Sequence, residues 1–202
     1  MANIDNNKLL SQLEFLAIID KMKNVNRQTL ILDKSRQEND AEHSWHIAVM
    51  AMVLEEYAIG KPDVNKAVRL ALVHDLVEVY AGDTFAYDEK GNVGKEERER
   101  EAARKLFAVL PESQGKEFMD LWEEFERAET PEGLYAVAVD RIQPFLANSL
   151  TDWHTWRTGK VKREQVERRL ALVKKATPEI WEYLVKMLDK AEEGGMFKHR
   201  EE

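Results

Sequence analysis

At 202 residues, with 44% hydrophobic and 34% charged residues, the chain is long and apolar enough to bury a sizeable core, and too apolar to be intrinsically disordered. It has no cysteine, which removes disulfides, thiolate metal ligands and a cysteine nucleophile together. A net charge of −8 argues against a general nucleic-acid binder, and no apolar run is long enough to span a bilayer.

The amino terminus, MANIDNNKLL, has no basic region followed by an apolar stretch, so no signal peptide is expected and the cytoplasm is the default location. Residues Asn7–Met22 read as an amphipathic helix with Leu9, Leu13, Leu16 and Ile19 on one stripe. Asn24–Asp40 reads as a polar connection with a short apolar piece, Leu30–Leu32, and contains Arg27, Arg36 and Glu38. Asn39 with Glu42 suggests a capping box opening a helix that runs to about Tyr57. Trp45, Val49, Met52 and Val53 are its expected core residues, and His43 and His46 sit in its first turns.

The stretch Ala67–Thr84, AVRLALVHDLVEVYAGDT, is apolar around most of a helical cylinder yet carries His74, Asp75 and Glu78. Asp63 is placed to cap it and Gly82 to stop it, with Asp83 directly after. Buried charge is costly unless paired or bound to a metal. An imidazole and three acids at one end of an apolar helix therefore suit a divalent cation. Thr84–Gly94 reads as a loop, Glu96–Leu110 as a helix ended by Pro111, and the segment from Ser113 as a helix packing Phe118, Leu121, Trp122 and Phe125 inward. Thr130-Pro131 opens a helix to Ser149 that holds Asp140 in an apolar stretch and is expected to kink or shift register at Pro144. Thr151–Gly159, with Trp153, His154 and Trp156, reads as a packed polar and aromatic loop, and Lys162–Lys175 as a helix. Thr177-Pro178 is expected to cap the last helix, which Gly194-Gly195 ends.

The pattern predicts an all-α protein of about eight helices forming a single domain over residues 1–202. Its core lies at about 24–150, with C-terminal helices at 160–192 and a loose tail at 194–202. Four candidate ligands stand on three of these helices: His43, His74 with Asp75, and Asp140. Without cysteine, the donors are imidazole nitrogen and carboxylate oxygen, which suit Mn²⁺, Co²⁺, Zn²⁺, Mg²⁺ or Fe²⁺.

The segments RQENDAEHSWHIAVMA, ALVHDLVEVYAGD and AVAVDRI resemble the HD-domain phosphohydrolases, and within them the 5′-deoxynucleotidase-like branch. The resemblance covers most of Asn24–Leu150. It implies an all-α fold with one divalent ion, Mn²⁺ or Co²⁺ favoured, on the residues matching His43, His74, Asp75 and Asp140. It implies that the acids shortly after the His-Asp pair, Glu78 and Asp83, are catalytic: Glu78 orienting water or taking its proton, Asp83 serving the leaving 5′-oxygen. Arg27 is the match to an arginine that contacts the substrate phosphate, and Gln28 replaces an aromatic that can follow it. The implied substrate is a deoxyribonucleoside 5′-monophosphate, and the implied assembly a homodimer. Another phosphate ester as substrate, or a non-catalytic nucleotide sensor on the same fold, are the alternatives. A di-iron oxygenase would need more histidines than the five available. His46 is expected to be packed or hydrogen-bonded, Glu96 and Glu97 to form a solvated helix start, and Arg36 and Glu38 either to hold the loop or to line the pocket.

Overall fold

A computed structural model describes residues 6–197; the expected start of the chain and most of the loose tail, with His199, lie outside the described residues. Helices dominate, as the periodicity requires. The first, α1 (Asn6–Ile19), tightens into a 3₁₀ turn over Asp20–Asn24. The polar connection that follows is a hairpin: β1 (Asn26–Leu30) pairs antiparallel with β2 (Gln37–Asn39). It escaped the sequence reading because its strands are short and polar. Its turn is closed locally, with Ser35 N–H donating to Asp33 Oδ1 and Lys34 at φ 63°. Arg36 binds both carboxylate oxygens of Glu42, so this exposed arginine holds the hairpin to the next helix rather than lining the cavity.

That helix, α2 (Asp40–Val53), opens with the expected capping box. Glu42 N–H donates to Asn39 Oδ1 at 3.0 Å, and Asn39 N–H donates to Glu42 Oε2 at 3.2 Å. It stops at Val53, and a separate 3₁₀ turn covers Glu55–Tyr57. The buried face was misassigned. Trp45 (64% exposed), Val49, Met52 and Val53 face outward, whereas His43, Ile47, Ala48, Met50 and Ala51 are buried. Apolar residues occupy nearly every side of this helix, so spacing alone permits either face. The inward one carries two alanines, whose small side chains let neighbouring helices approach.

The apolar stretch built on Ala67–Thr84 is broken. Asp63 caps α3 (Val64–Val73), accepting from Asn65 and Lys66 N–H. A 3₁₀ segment, His74–Val77, follows, then one turn, α4 (Glu78–Ala81), stopped at Gly82 with φ 75°. The chain continues through α5 (Lys95–Phe107), α6 (Glu112–Arg127) and α7 (Pro131–Leu150). Thr130 caps α7 by accepting from Gly133 N–H, and the helix runs on past Pro144. A short helix, α8 (His154–Thr158), forms inside the expected loop, and the next expected helix is split at Leu170 into α9 (Arg163–Arg169) and α10 (Ala171–Ala176). The last is α11 (Pro178–Glu193); Thr177 does not cap it, because its hydroxyl donates back to the Val173 carbonyl. Two splits and one added turn bring the α-helices among the described residues to eleven.

Helices α2, α3 and α7 pack on one another at the centre. At one end of this apolar contact α2, α7 and the 3₁₀ segment that follows α3 contribute buried polar residues, and the hairpin closes over that end. The α2 capping box fixes the turn that carries His43. Asn39→Ala is expected to destabilise the protein by about 1 kcal/mol, read as a lower urea midpoint with an unchanged slope.

Candidate metal centre

His43 is fully buried on α2. Its Nδ1 lies 3.0 Å from Gln143 Oε1, and Gln143 Nε2 donates to Glu38 Oε1 at 2.7 Å. The amide is thereby oriented with its oxygen toward the imidazole, which must carry its proton on Nδ1 to donate. Burial, then Arg27, push the His43 pKa down, so the ring is neutral. Its bare Nε2 therefore faces Asp140 Oδ1 at 3.0 Å and Asp75 Oδ2 at 3.8 Å.

His74 shows the same arrangement. Nδ1 donates to the Ala71 carbonyl at 2.8 Å, leaving Nε2 buried without a hydrogen bond, 3.0 Å from Asp75 Oδ1 and 3.7 Å from Asp140 Oδ1. Burial opposes a charge on His74, but Asp75 and Asp140 outweigh it and push the imidazole up to about 10. The pull these carboxylates exert on a proton is the pull they would exert on a metal cation. Two Nε2 atoms directed at carboxylate oxygens in a buried site are the donor set a divalent ion requires, the ion displacing the proton from His74. Ligand atoms of His43, His74 and Asp75 all lie within 4.8 Å of one another.

The 3₁₀ segment places the acids. In a 3₁₀ helix residues i and i+3 eclipse, which puts Asp75 and Glu78 on one side. Asp40, buried at the start of α2, joins them, and oxygens of Asp40, Asp75 and Glu78 also lie within 4.8 Å of one another. Burial and neighbouring carboxylates push Asp40 up to about 7 and Glu78 well above the usual range, which favours their protonated forms. Arg27 on β1 answers this charge. Its Nη1 donates to Asp75 Oδ2 at 3.0 Å and lies 3.4 Å from Asp40 Oδ1, and its Nε is 3.8 Å from Glu38 Oε2. Burial works against the guanidinium, but Asp75, Asp83, Asp140 and Asp40 hold its pKa above the ordinary value.

All seven residues singled out in the sequence border this region: Arg27, His74, Asp75, Glu78, Asp83 and Asp140 line one cavity of about 620 Å³, and His43 lies directly behind. Asp40 and Gln143 were not foreseen. Each is three residues from an expected ligand on the same helix, His43 or Asp140, and so shares its face. Glu38 braces the site through Gln143, and His46 sits 3.3 Å from the Gln143 amide, outside the imidazole–carboxylate group. Glu96 borders the cavity but is largely exposed and pairs with Arg100, and Glu97 is exposed beside Arg104. Trp153 and Trp156 stack at 5.2 Å and meet Phe145 edge-on, so the aromatic segment is packed; Trp156 also reaches the cavity.

Known proteins carry the same frame. The HD domain family profile matches residues 19–181. The chain belongs to the HD-domain family. It is 34% identical over 140 residues to the human 5′-deoxynucleotidase HDDC2, covering 69% of this chain and 67% of that one. The Xenopus laevis protein of that name is 28% identical over 175 residues, covering 81% and 86%. A crystal structure from Magnetospirillum magnetotacticum MS-1, described as a predicted metal-dependent phosphohydrolase, superimposes with a TM-score of 0.90 at 43% identity, covering 97% of this chain and 98% of that one.

The HD-domain site depends on Gln143 to fix the His43 tautomer. Gln143→Leu is expected to weaken Mn²⁺ binding about 10–100-fold with helicity unchanged, as read by competition titration and circular dichroism.

Proposed function

We propose that the protein is a metal-dependent phosphomonoesterase that hydrolyses deoxyribonucleoside 5′-monophosphates to nucleoside and phosphate. The observation that carries this reading is the approach of His43, His74, Asp75 and Asp140 beside a cavity of nucleotide size, about 620 Å³. Similarity to proteins named 5′-deoxynucleotidase supports the substrate.

Those four residues would hold one divalent ion, Mn²⁺ or Co²⁺ favoured. Bound there, the ion supplies Lewis acidity, lowering the pKa of a water and drawing charge from a phosphate oxygen. Glu78, buried beside Asp75, holds the attacking water and takes its proton. Asp83, which lines the cavity directly after Gly82, supplies a proton to the departing 5′-oxygen. Arg27 keeps Nη1 on Asp75 and offers Nη2, which makes no hydrogen bond among the described residues, to the phosphate. Phe85, Tyr87 and Trp156 form an aromatic wall suited to a sugar and base. The reading takes no nucleic-acid polymer as partner, in line with the net charge of −8.

The reading keeps the single domain and the cytoplasmic setting expected from the sequence. It also includes a homodimer. The exposed Leu10, Leu13 and Leu16 on α1 and Trp45, Met52 and Val53 on α2 supply apolar surface beyond that of isolated exposed residues. Among the described residues no helix is long and apolar enough to cross a membrane.

Metal-stripped protein given Mn²⁺ or Co²⁺ is expected to release phosphate from deoxynucleoside monophosphates, and Asp75→Ala to release none. Glu78→Gln should retain metal yet lose at least about 100-fold in kcat; full turnover with metal bound would remove Glu78 from the mechanism. Sedimentation velocity should give a dimer, shifted to monomer by Met52→Glu.

A further inference from the structure

The cavity carries positive charge that the acid cluster does not consume. Arg141 follows Asp140 on α7, and its Nη1 donates to the Arg169 carbonyl at 2.7 Å. That bond ties the last residue of α9 to α7, just before the break at Leu170. Arg141 Nε is buried with no hydrogen bond among the described residues. The Arg169 guanidinium likewise makes none there. Its nearest carboxylate oxygen is Asp140 Oδ2 at 3.8 Å, too far for a hydrogen bond, and its side chain is one-third exposed, at 33%. Both arginines line the cavity together with Tyr87.

Two guanidinium groups held side by side in a partly buried wall repel. Asp140 offsets this only in part: Oδ1 is turned to His43 and His74, and Oδ2 stays 3.8 Å from Arg169. Arg27 is differently placed, gripped by Asp75 and Asp40 and close to Glu38. The wall beside Asp140 thus has open space and a guanidinium, that of Arg169, whose N–H groups no carboxylate of the described residues accepts within hydrogen-bond distance.

We propose that Arg169, positioned by Arg141, binds the phosphate group of the substrate on the Asp140 side of the cavity, as a second guanidinium in addition to Arg27. The assignment rests on the phosphomonoester reading and names a phosphate anchor within it. A phosphate dianion has enough terminal oxygens to meet Arg27 on one side and Arg169 on the other, and a guanidinium can offer it two parallel N–H groups. Arg141 acts through Arg169: its bond to the Arg169 carbonyl fixes where that side chain leaves the backbone.

The test uses full-length, Mn²⁺-loaded protein. Inorganic phosphate binding is measured by calorimetry, and KM and kcat are measured on deoxynucleoside monophosphates. Arg169→Ala should raise the phosphate Kd and the KM about 10–100-fold, with Mn²⁺ affinity unchanged. Arg169→Lys should fall between, keeping charge but losing the planar fork. Arg168→Ala, at the exposed neighbouring position, should match wild type in every reading. Arg169→Met, similar in length, replaces the alanine variant if that one loses thermal stability. Phosphate binding by Arg169→Ala or Arg169→Met within twofold of wild type would overturn the proposal, as would wild-type protein that binds no phosphate. Arg169-dependent phosphate binding without release from any deoxynucleoside monophosphate would uphold the anchor and refute the substrate.

Discussion

The structure depends on one constraint: carboxylates and imidazoles brought into a largely dry end of a helical core must be balanced. Asp40, Asp75, Glu78 and Asp140 meet there with His43 and His74. An isolated buried carboxylate would abandon its charge rather than stay ionised. Two devices limit this protonation. Arg27 reaches in from the hairpin and the imidazole nitrogens face the acids, while Asp40 and Glu78 are pushed toward the protonated form. Together they produce a site poised to accept more positive charge.

Each element around the site reads as a consequence of that constraint. The hairpin delivers Arg27 from one side. The 3₁₀ segment at His74 turns two acids to a common face that a regular helix would separate by about 60°. Gln143 links Glu38 to His43 and fixes a ring that would otherwise be free to present either nitrogen. These features are local departures from regular structure, and they cluster where the charge is.

This also explains what could be read in advance. His43, His74, Asp75 and Asp140 stand out because charged residues inside apolar helical periods are costly, and the caps at Asn39, Asp63 and Thr130 follow from local chemistry. The outward face of α2 was misread because its period has two apolar sides, and only tertiary packing chooses between them. The hairpin and α8 were missed because short polar elements carry little periodicity. Asp40 and Gln143 gave no signal of their own; only their spacing from His43 and Asp140 marks them. Arg169 is one of four arginines and lysines between Lys162 and Arg169, which no spacing singles out, and it borders the cavity where Arg141 grips its carbonyl.

The site is assembled from segments far apart in the chain: His43 and Asp140, 3.0 Å apart in space, are separated by 97 residues in sequence. A growing polypeptide cannot complete this cluster until α7 has been made. Before then its carboxylates and imidazoles stay hydrated, and no partial chain offers the complete set of donors. On the proposed metal reading, the donor set is therefore completed late in synthesis, and a chain that stops short of α7 lacks Asp140 and with it the full set.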